Sequence, residues 1–276
     1  MEMRFTKMHG LGNDFVVVDA GDSDVPDRDT LRRLGDRNTG IGFDQLLWLE
    51  PRHSPDADIY YRVFNVDGHE AGQCGNGARC IARFLSGRVA NEDRREFNLE
   101  HRGGMVHAVI EDDGTVSVEL SVPEFAPEKI PFTAPEERRT YAIDIPHETL
   151  EIGVVSVGNP HAVLEVDAID DAPVARIGAL LESHDRFPNH ANISFMQVVD
   201  ANHVRLRVFE RGVGETSACG TGACAAMVIG RSIGKLADSV IVELPGGRLR
   251  VRWKGPGSTV WLTGEAVTVF EGTVQV

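Results

Sequence analysis

FNVDGHEAGQCGNGARC, residues 64–80, sets a cysteine between a strand-like apolar run and a Gly75-Asn76-Gly77 turn at a helix start. FERGVGETSACGTGAC, residues 209–224, has the same layout. When Arg62–Ala78 is placed under Arg207–Ala223, eight of seventeen positions are identical without a gap, at an offset of 145. The identities are an Arg-Val-Phe run, Glu70 with Glu215, Cys74 with Cys219, and the glycines and alanine that follow each cysteine. A period this long marks a duplicated domain, not a solenoid.

Weaker likenesses extend outward in the same order. GNDFVVVD (12–19) resembles GNPHAVLEVD (158–167), which matches Asn13 with Asn159. FDQLLWLE (43–50) resembles ANISFMQVV (191–199), which sets Gln45 beside Asn192. NLEHRGGMV (98–106) and VELPGGRLRV (242–251) each read as a strand broken by a Gly-Gly turn. Between the halves, VPEFAPEKIPFTAP (122–135) has proline at 123, 127, 131 and 135. That spacing argues against a helix and predicts an extended connector. The expected domains are 1–122 and 123–265, with the alternating segment 266–276 crossing back onto the first half.

Most other patterned segments alternate as strands do. Helices are expected at Arg28–Arg37, Ala78–Leu85, Val174–Ser183 and Ala223–Ile229. ACAAMVI (223–229) is apolar on every side and should be buried all round. The predicted fold is mixed α/β: two pseudo-symmetric halves, each a curled mixed or antiparallel sheet around a central buried helix. A site in the cleft between the halves is expected.

Composition narrows the function. The chain has 276 residues, 42% hydrophobic, with 42 acidic against 28 basic residues and a formal net charge of −14. Nucleic acid and membrane surfaces are anionic, so neither is an expected partner. Only Lys7, Lys129, Lys235 and Lys254 are lysines; a salt-rich cytoplasm and genomic base composition explain this equally well. The opening residues MEMRFTKMHGLGNDF lack a secretory pattern, so a cytoplasmic protein is predicted, with its four cysteines reduced. Cys80 and Cys224 fall inside the helices and read as core residues. The spacings Cys-x5-Cys and Cys-x4-Cys are poor zinc signals, and no metal site is expected. The glycine-rich runs fit neither a phosphate loop nor a dinucleotide turn.

A glycine-flanked helix start leaves N–H groups unpaired and favours an anion, and a cysteine there has its thiolate stabilised. Taken singly, such a cysteine reads as a core or redox residue. The matched pair points to catalysis: one thiolate removes a proton from a carbon, and the opposite thiol returns one on the other face. The developing carbanion needs electrostatic help, which two helix N-termini at an α-carboxylate can give.

CGNGARC, ERGVGETSACGTGAC, MHGLGNDF and VGNPHAV together resemble the diaminopimelate epimerase family, and the likeness runs through nearly the whole chain. The resemblance implies two pseudo-symmetric α/β halves and no pyridoxal phosphate, metal or other cofactor. It implies interconversion of LL- and meso-2,6-diaminoheptanedioate for lysine synthesis. Cys74 and Cys219 are then the acid/base pair, assisted by His161 and Glu210. Asn13, Gln45, Asn65, Asn159, Asn192, Glu210 and Arg211 surround the substrate, with Gly75-Asn76 and Gly220-Thr221 as carboxylate cradles. His161 by itself reads as a structural histidine, and the asparagines singly as turn residues. Arg211 suits a distal carboxylate as a bidentate fork. A racemase or epimerase of proline or hydroxyproline, and a non-catalytic dithiol redox or binding protein, remain alternatives. The one partner called for is a small-molecule substrate, and the sequence is compatible with a homodimer.

Overall fold

A computed structural model describes residues 2–91 and 93–276. The chain divides into two compact units, Met1–Glu119 with Thr263–Val276, and Leu120–Leu262. The first opens with β1 (Glu2–Gly10), β2 (Asn13–Asp19), α1 (Arg28–Gly35), β3 (Gln45–Glu50), β4 (Ile59–Asn65) and β5 (Glu70–Ala71). It continues with α2 (Gly75–Ser86), β6 (Glu96–His101), β7 (Gly104–Ile110) and β8 (Val116–Glu119). The second holds β9 (Tyr141–Ile145), β10 (Glu148–Ser156), β11 (Pro160–Glu165), α3 (Val174–Glu182), β12 (Asn192–Asp200) and β13 (His203–Glu210). After them come β14 (Gly214–Thr216), α4 (Gly220–Ser232), β15 (Ser239–Leu244), β16 (Gly247–Trp253) and β17 (Val260–Gly264). The last strand, β18 (Val267–Gln275), pairs antiparallel with β1.

The two units repeat one ladder. In the first, β1-β2-β3-β4-β6-β7 pair in the order antiparallel, parallel, antiparallel, parallel, antiparallel. In the second, β10-β11-β12-β13-β15-β16 pair in that same order. The short strands β5 and β14 add to β4 and β13 in matching register, Val63 opposite Ala71 and Val208 opposite Thr216. The repeated arginine and glutamate hold these hairpins. Arg62 Nη2 lies 2.7 Å from Glu70 Oε2, and Arg207 Nε 2.7 Å from Glu215 Oε1.

Each sheet curls around one helix. Helix α2 packs against β1, β2, β6, β7, β8 and β18, and α4 against β10, β11, β12, β13, β15 and β16. A helix touching six strands is covered on all sides, which is why Gly222–Gly230 of α4 is buried throughout. The sheet's other face is covered by α1 in the first unit, where Leu31 and Leu34 pack with Trp48 and Phe64. In the second, α3 does the same, with Ile177 and Leu181 against Phe195.

Four expectations need correction. Both cysteine-proximal helices begin three residues earlier than Ala78 and Ala223, because the Gly-x-Gly segment is their first turn and not a turn before it. Glycine is a poor helix former, but close packing demands it: a Cβ on Gly77 would stand 3.0 Å from Leu47 Cδ2, and on Gly222 2.9 Å from Val208 Cγ2. Helix α1 stops at Gly35, two residues short of Arg37, and α3 at Glu182, one short of Ser183. The connector contains a 3-10 turn at Pro127–Lys129, with proline at a first-turn position where no N–H is needed. Beyond it, Ile130 and Phe132 enter the core with α3. Strand β1 was not foreseen. No helix among the described residues is long and apolar enough to cross a membrane.

Candidate active site

Cys74 and Cys219 are the N-cap residues of α2 and α4. Their backbones agree closely, with φ −122° and ψ 114° at Cys74 and φ −122° and ψ 107° at Cys219. Neither side chain makes a capping hydrogen bond, so first-turn N–H groups at Gly75-Asn76 and Gly220-Thr221 are not taken up by the cap. Both helix starts therefore offer donors and a positive dipole end to an anion. The two sulfurs differ in surroundings: Cys74 is half-buried and Cys219 is buried.

Around Cys74, a tight turn at Leu11-Gly12, with φ 56° and 82°, reverses the chain between β1 and β2 and presents Asn13. Asn76 Nδ2 donates to Asn13 Oδ1 at 3.1 Å, and Arg79 Nη2 donates to Asn76 Oδ1 at 2.9 Å. Asn13 Nδ2 donates to Asp44 Oδ2 at 2.9 Å. Arg37 bridges Asp14 and Asp44, each at 2.8 Å, and buried Lys7 pairs with Asp14. Burial opposes ionisation of Asp14, yet hydrogen bonds from Arg37 and Lys7 hold its carboxyl well below the usual range. Gln45 and Asn65 face each other in register on β3 and β4, and Gln45 Nε2 donates to Asn65 Oδ1 at 2.9 Å.

Around Cys219 the side chains form one hydrogen-bonded chain. The thiol reaches Glu210 Oε2 at 3.3 Å, and Thr216 donates to the other oxygen of Glu210. Thr221 Oγ1 lies 3.6 Å from the sulfur and accepts from Asn159 Nδ2 at 3.4 Å. Asn159 Oδ1 lies 3.0 Å from His161 Nε2. With the amide nitrogen directed at Thr221, that oxygen is the acceptor, so His161 carries its proton on Nε2 and keeps a lone pair on Nδ1. That Nδ1 is buried with no partner among the described residues. Burial, with the charge of Arg211 added, takes the imidazole down to about 3, so it is neutral near pH 7. Burial first, and the Glu210 carboxylate second, push the Cys219 thiol well above its ordinary range; Thr221 acts the other way. Cys219 is a thiol, not a thiolate.

Asn192 is buried opposite His161 in the β11–β12 register and accepts from the Arg211 backbone N–H at 3.0 Å. The exposed Arg211 side chain is steadied by a 2.9 Å bond from Nη1 to the Asn189 carbonyl. Each unit thus gathers its own share of the sequence-derived residues: Asn13 with Asn76 and Gln45 with Asn65 beside Cys74, and His161, Asn159, Thr221, Glu210, Asn192 and Arg211 beside Cys219. Sequence reasoning missed Arg79, which is fully buried, and Thr216, which fixes Glu210. The i, i+3 spacing of Asn76 and Arg79 was a signal for the first; nothing local marked the second. Among the described residues, no group of three or more His, Cys, Asp or Glu is arranged to hold a metal ion.

A family model described as diaminopimelate epimerase matches residues 5–126 and 153–269. Several solved structures share the fold. A hydroxyproline epimerase from Agrobacterium vitis, with bound trans-4-hydroxy-L-proline, superposes with TM-score 0.71 at 18% identity, covering 99% of this chain and 92% of that one. A Bacillus anthracis phenazine biosynthesis protein of the PhzF family gives TM-score 0.71 at 21% identity over all of both chains. A probable proline racemase from Agrobacterium radiobacter gives 0.68 at 19%, covering 99% and 92%.

Proposed function

Because this chain belongs to the diaminopimelate epimerase family, we propose that it interconverts LL- and meso-2,6-diaminoheptanedioate in lysine biosynthesis by cofactor-independent two-base chemistry. Cys74 and Cys219 act on opposite faces of one α-carbon. The observation that carries the reading is the pair of helix N-cap cysteines with nearly superposable backbones, one in each repeat.

In the direction in which Cys219 is the acid, the Cys74 thiolate takes the α-proton and becomes a thiol. The Cys219 S–H delivers its proton to the other face and becomes a thiolate, so protons balance and the stereocentre inverts. The α-carboxylate carries the developing enolate-like charge, and first-turn N–H groups at Gly75-Asn76 and Gly220-Thr221 stabilise it. Glu210, accepting from the Cys219 thiol, keeps that proton in place until it is delivered. Neutral His161 holds Asn159, which in turn holds Thr221 beside the sulfur. The exposed guanidinium of Arg211 suits the carboxylate at the far end of the substrate, and the Asn13, Gln45, Asn65 and Asn192 amides suit its ammonium groups.

Incubation of the purified protein with LL-diaminopimelate in heavy water tests this. The expected product is the meso isomer with one deuterium at the inverted α-carbon. Absence of α-deuterium would overturn the reading, and exchange with proline or trans-4-hydroxyproline alone would replace the substrate.

A further inference from the structure

Tyr61 on β4 stands where the second repeat has Leu206 on β13, at the common offset of 145. Both side chains are 1% exposed. Leucine fills this position in one copy, so packing alone does not call for the phenolic oxygen in the other. That hydroxyl is nevertheless buried, with no hydrogen-bond partner among the described residues. Buried polar atoms in native proteins are nearly always paired, and an orphan calls for an explanation.

Side chains alternate along a strand, so Tyr61, Val63 and Asn65 share one face of β4, and Leu206, Val208 and Glu210 share the matching face of β13. The β13 face is the one that serves its cysteine: Glu210 reaches Cys219 Sγ at 3.3 Å, and Val208 packs under Gly222. On β4, Val63 pairs with Ala71, and Tyr61 lines a cavity of about 420 Å³ with Ala71, Gly72 and Gln73, the segment that delivers Cys74. The repeat counterparts of Glu210 and Thr221 are Asn65 and Asn76. Both are engaged elsewhere, Asn65 by Gln45 and Asn76 by Asn13 and Arg79. Burial first, and the charge of Cys74 second, push the Tyr61 phenol far above its ordinary range, so it stays an O–H donor.

We propose that Tyr61 is a positioning residue for Cys74: its hydroxyl donates to the sulfur once that sulfur is a thiolate, as Glu210 accepts from the Cys219 thiol. The two repeats then bias their cysteines in opposite senses, towards base at Cys74 and acid at Cys219. The inference rests on the two-base reading above.

Tyr61→Phe removes the oxygen alone, and Tyr61→Leu installs the residue of the other repeat. The readout is the rate of Cys74 alkylation by iodoacetamide against pH, with the site identified by peptide mass, which needs no substrate. Near pH 7 the rate should fall about fivefold in Tyr61→Phe, the worth of one net hydrogen bond, and its pH midpoint should move up. Thermal stability should be unchanged or higher, because a buried unpaired hydroxyl has gone. A Cys74 titration in Tyr61→Phe that superposes on the wild type would overturn the proposal. Wild-type protein that exchanges no α-hydrogen while its Cys74 responds to Tyr61→Phe would fail the two-base reading and leave the Tyr61 contact standing.

Discussion

Replacing Glu210 by glutamine removes a charge while keeping the side chain's shape. The carboxylate oxygen lies 3.3 Å from Cys219 Sγ. Two unit charges at that distance repel by about 5 kcal/mol at an effective dielectric of about 20. Glu210 is partly exposed, and screening reduces this to about 1–3 kcal/mol, or about 1–2 pKa units. Burial is the larger cause of the raised Cys219 thiol and survives the substitution. Glu210→Gln should therefore lower the Cys219 midpoint by about 1–2 units without restoring an ordinary thiol. Thiolate absorbance near 240 nm, followed in a Cys74→Ser background, reads this directly. Cys80, pushed up to about 12 by burial, does not interfere below that pH. Turnover should fall by about 100-fold, the scale of a disturbed general acid. An unchanged or raised Cys219 midpoint would refute the claim that ionised Glu210 keeps the sulfur protonated.

His161, held down to about 3, binds its proton less readily in the folded protein than in the unfolded chain. Stability should thus be lost as pH falls from about 6.5 towards 3, by at most about 1.4 kcal/mol per pH unit. His161→Phe, with the residue that precedes Val16 in the other repeat, should gain on wild type in urea midpoint across that window; a constant difference would count against the assignment. Asp14, with its carboxyl depressed by Arg37 and Lys7, contributes stability above its unfolded pKa that is lost as pH falls through the folded value. Asp14→Asn should therefore be destabilised near pH 7, with the gap to wild type closing in acid when urea titrations are repeated there. A methyl on Gly153 would stand 2.3 Å from Ile229 Cγ2, where β10 meets α4. Gly153→Ala should cost about 1–3 kcal/mol in urea unfolding, with part recovered in the Gly153→Ala/Ile229→Ala double variant.

The duplication was legible because identities cluster where geometry is strict. Arg62 and Glu70, like Arg207 and Glu215, recur as ion pairs closing equivalent hairpins. Glycines 77 and 222 recur because strand side chains leave no room for a Cβ. Those same glycines hid the helix starts, since local propensity disfavours what packing requires. Strand β1 was missed because its partner β18 lies at the far end of the chain, and because Lys7 within it is a buried polar residue. The candidate site was legible as residue types at matched offsets. Its asymmetry was not, because the Thr216–Glu210 bond and the orphaned Tyr61 hydroxyl arise from tertiary packing.

Deuterium incorporation from heavy water into diaminopimelate, measured for Cys74→Ala and Cys219→Ala separately, tests the division of labour between the sulfurs most directly. The account predicts that neither variant inverts the α-carbon, because each lacks either the group that takes the proton or the one that returns it. Net formation of meso product at the wild-type rate by either variant would contradict it.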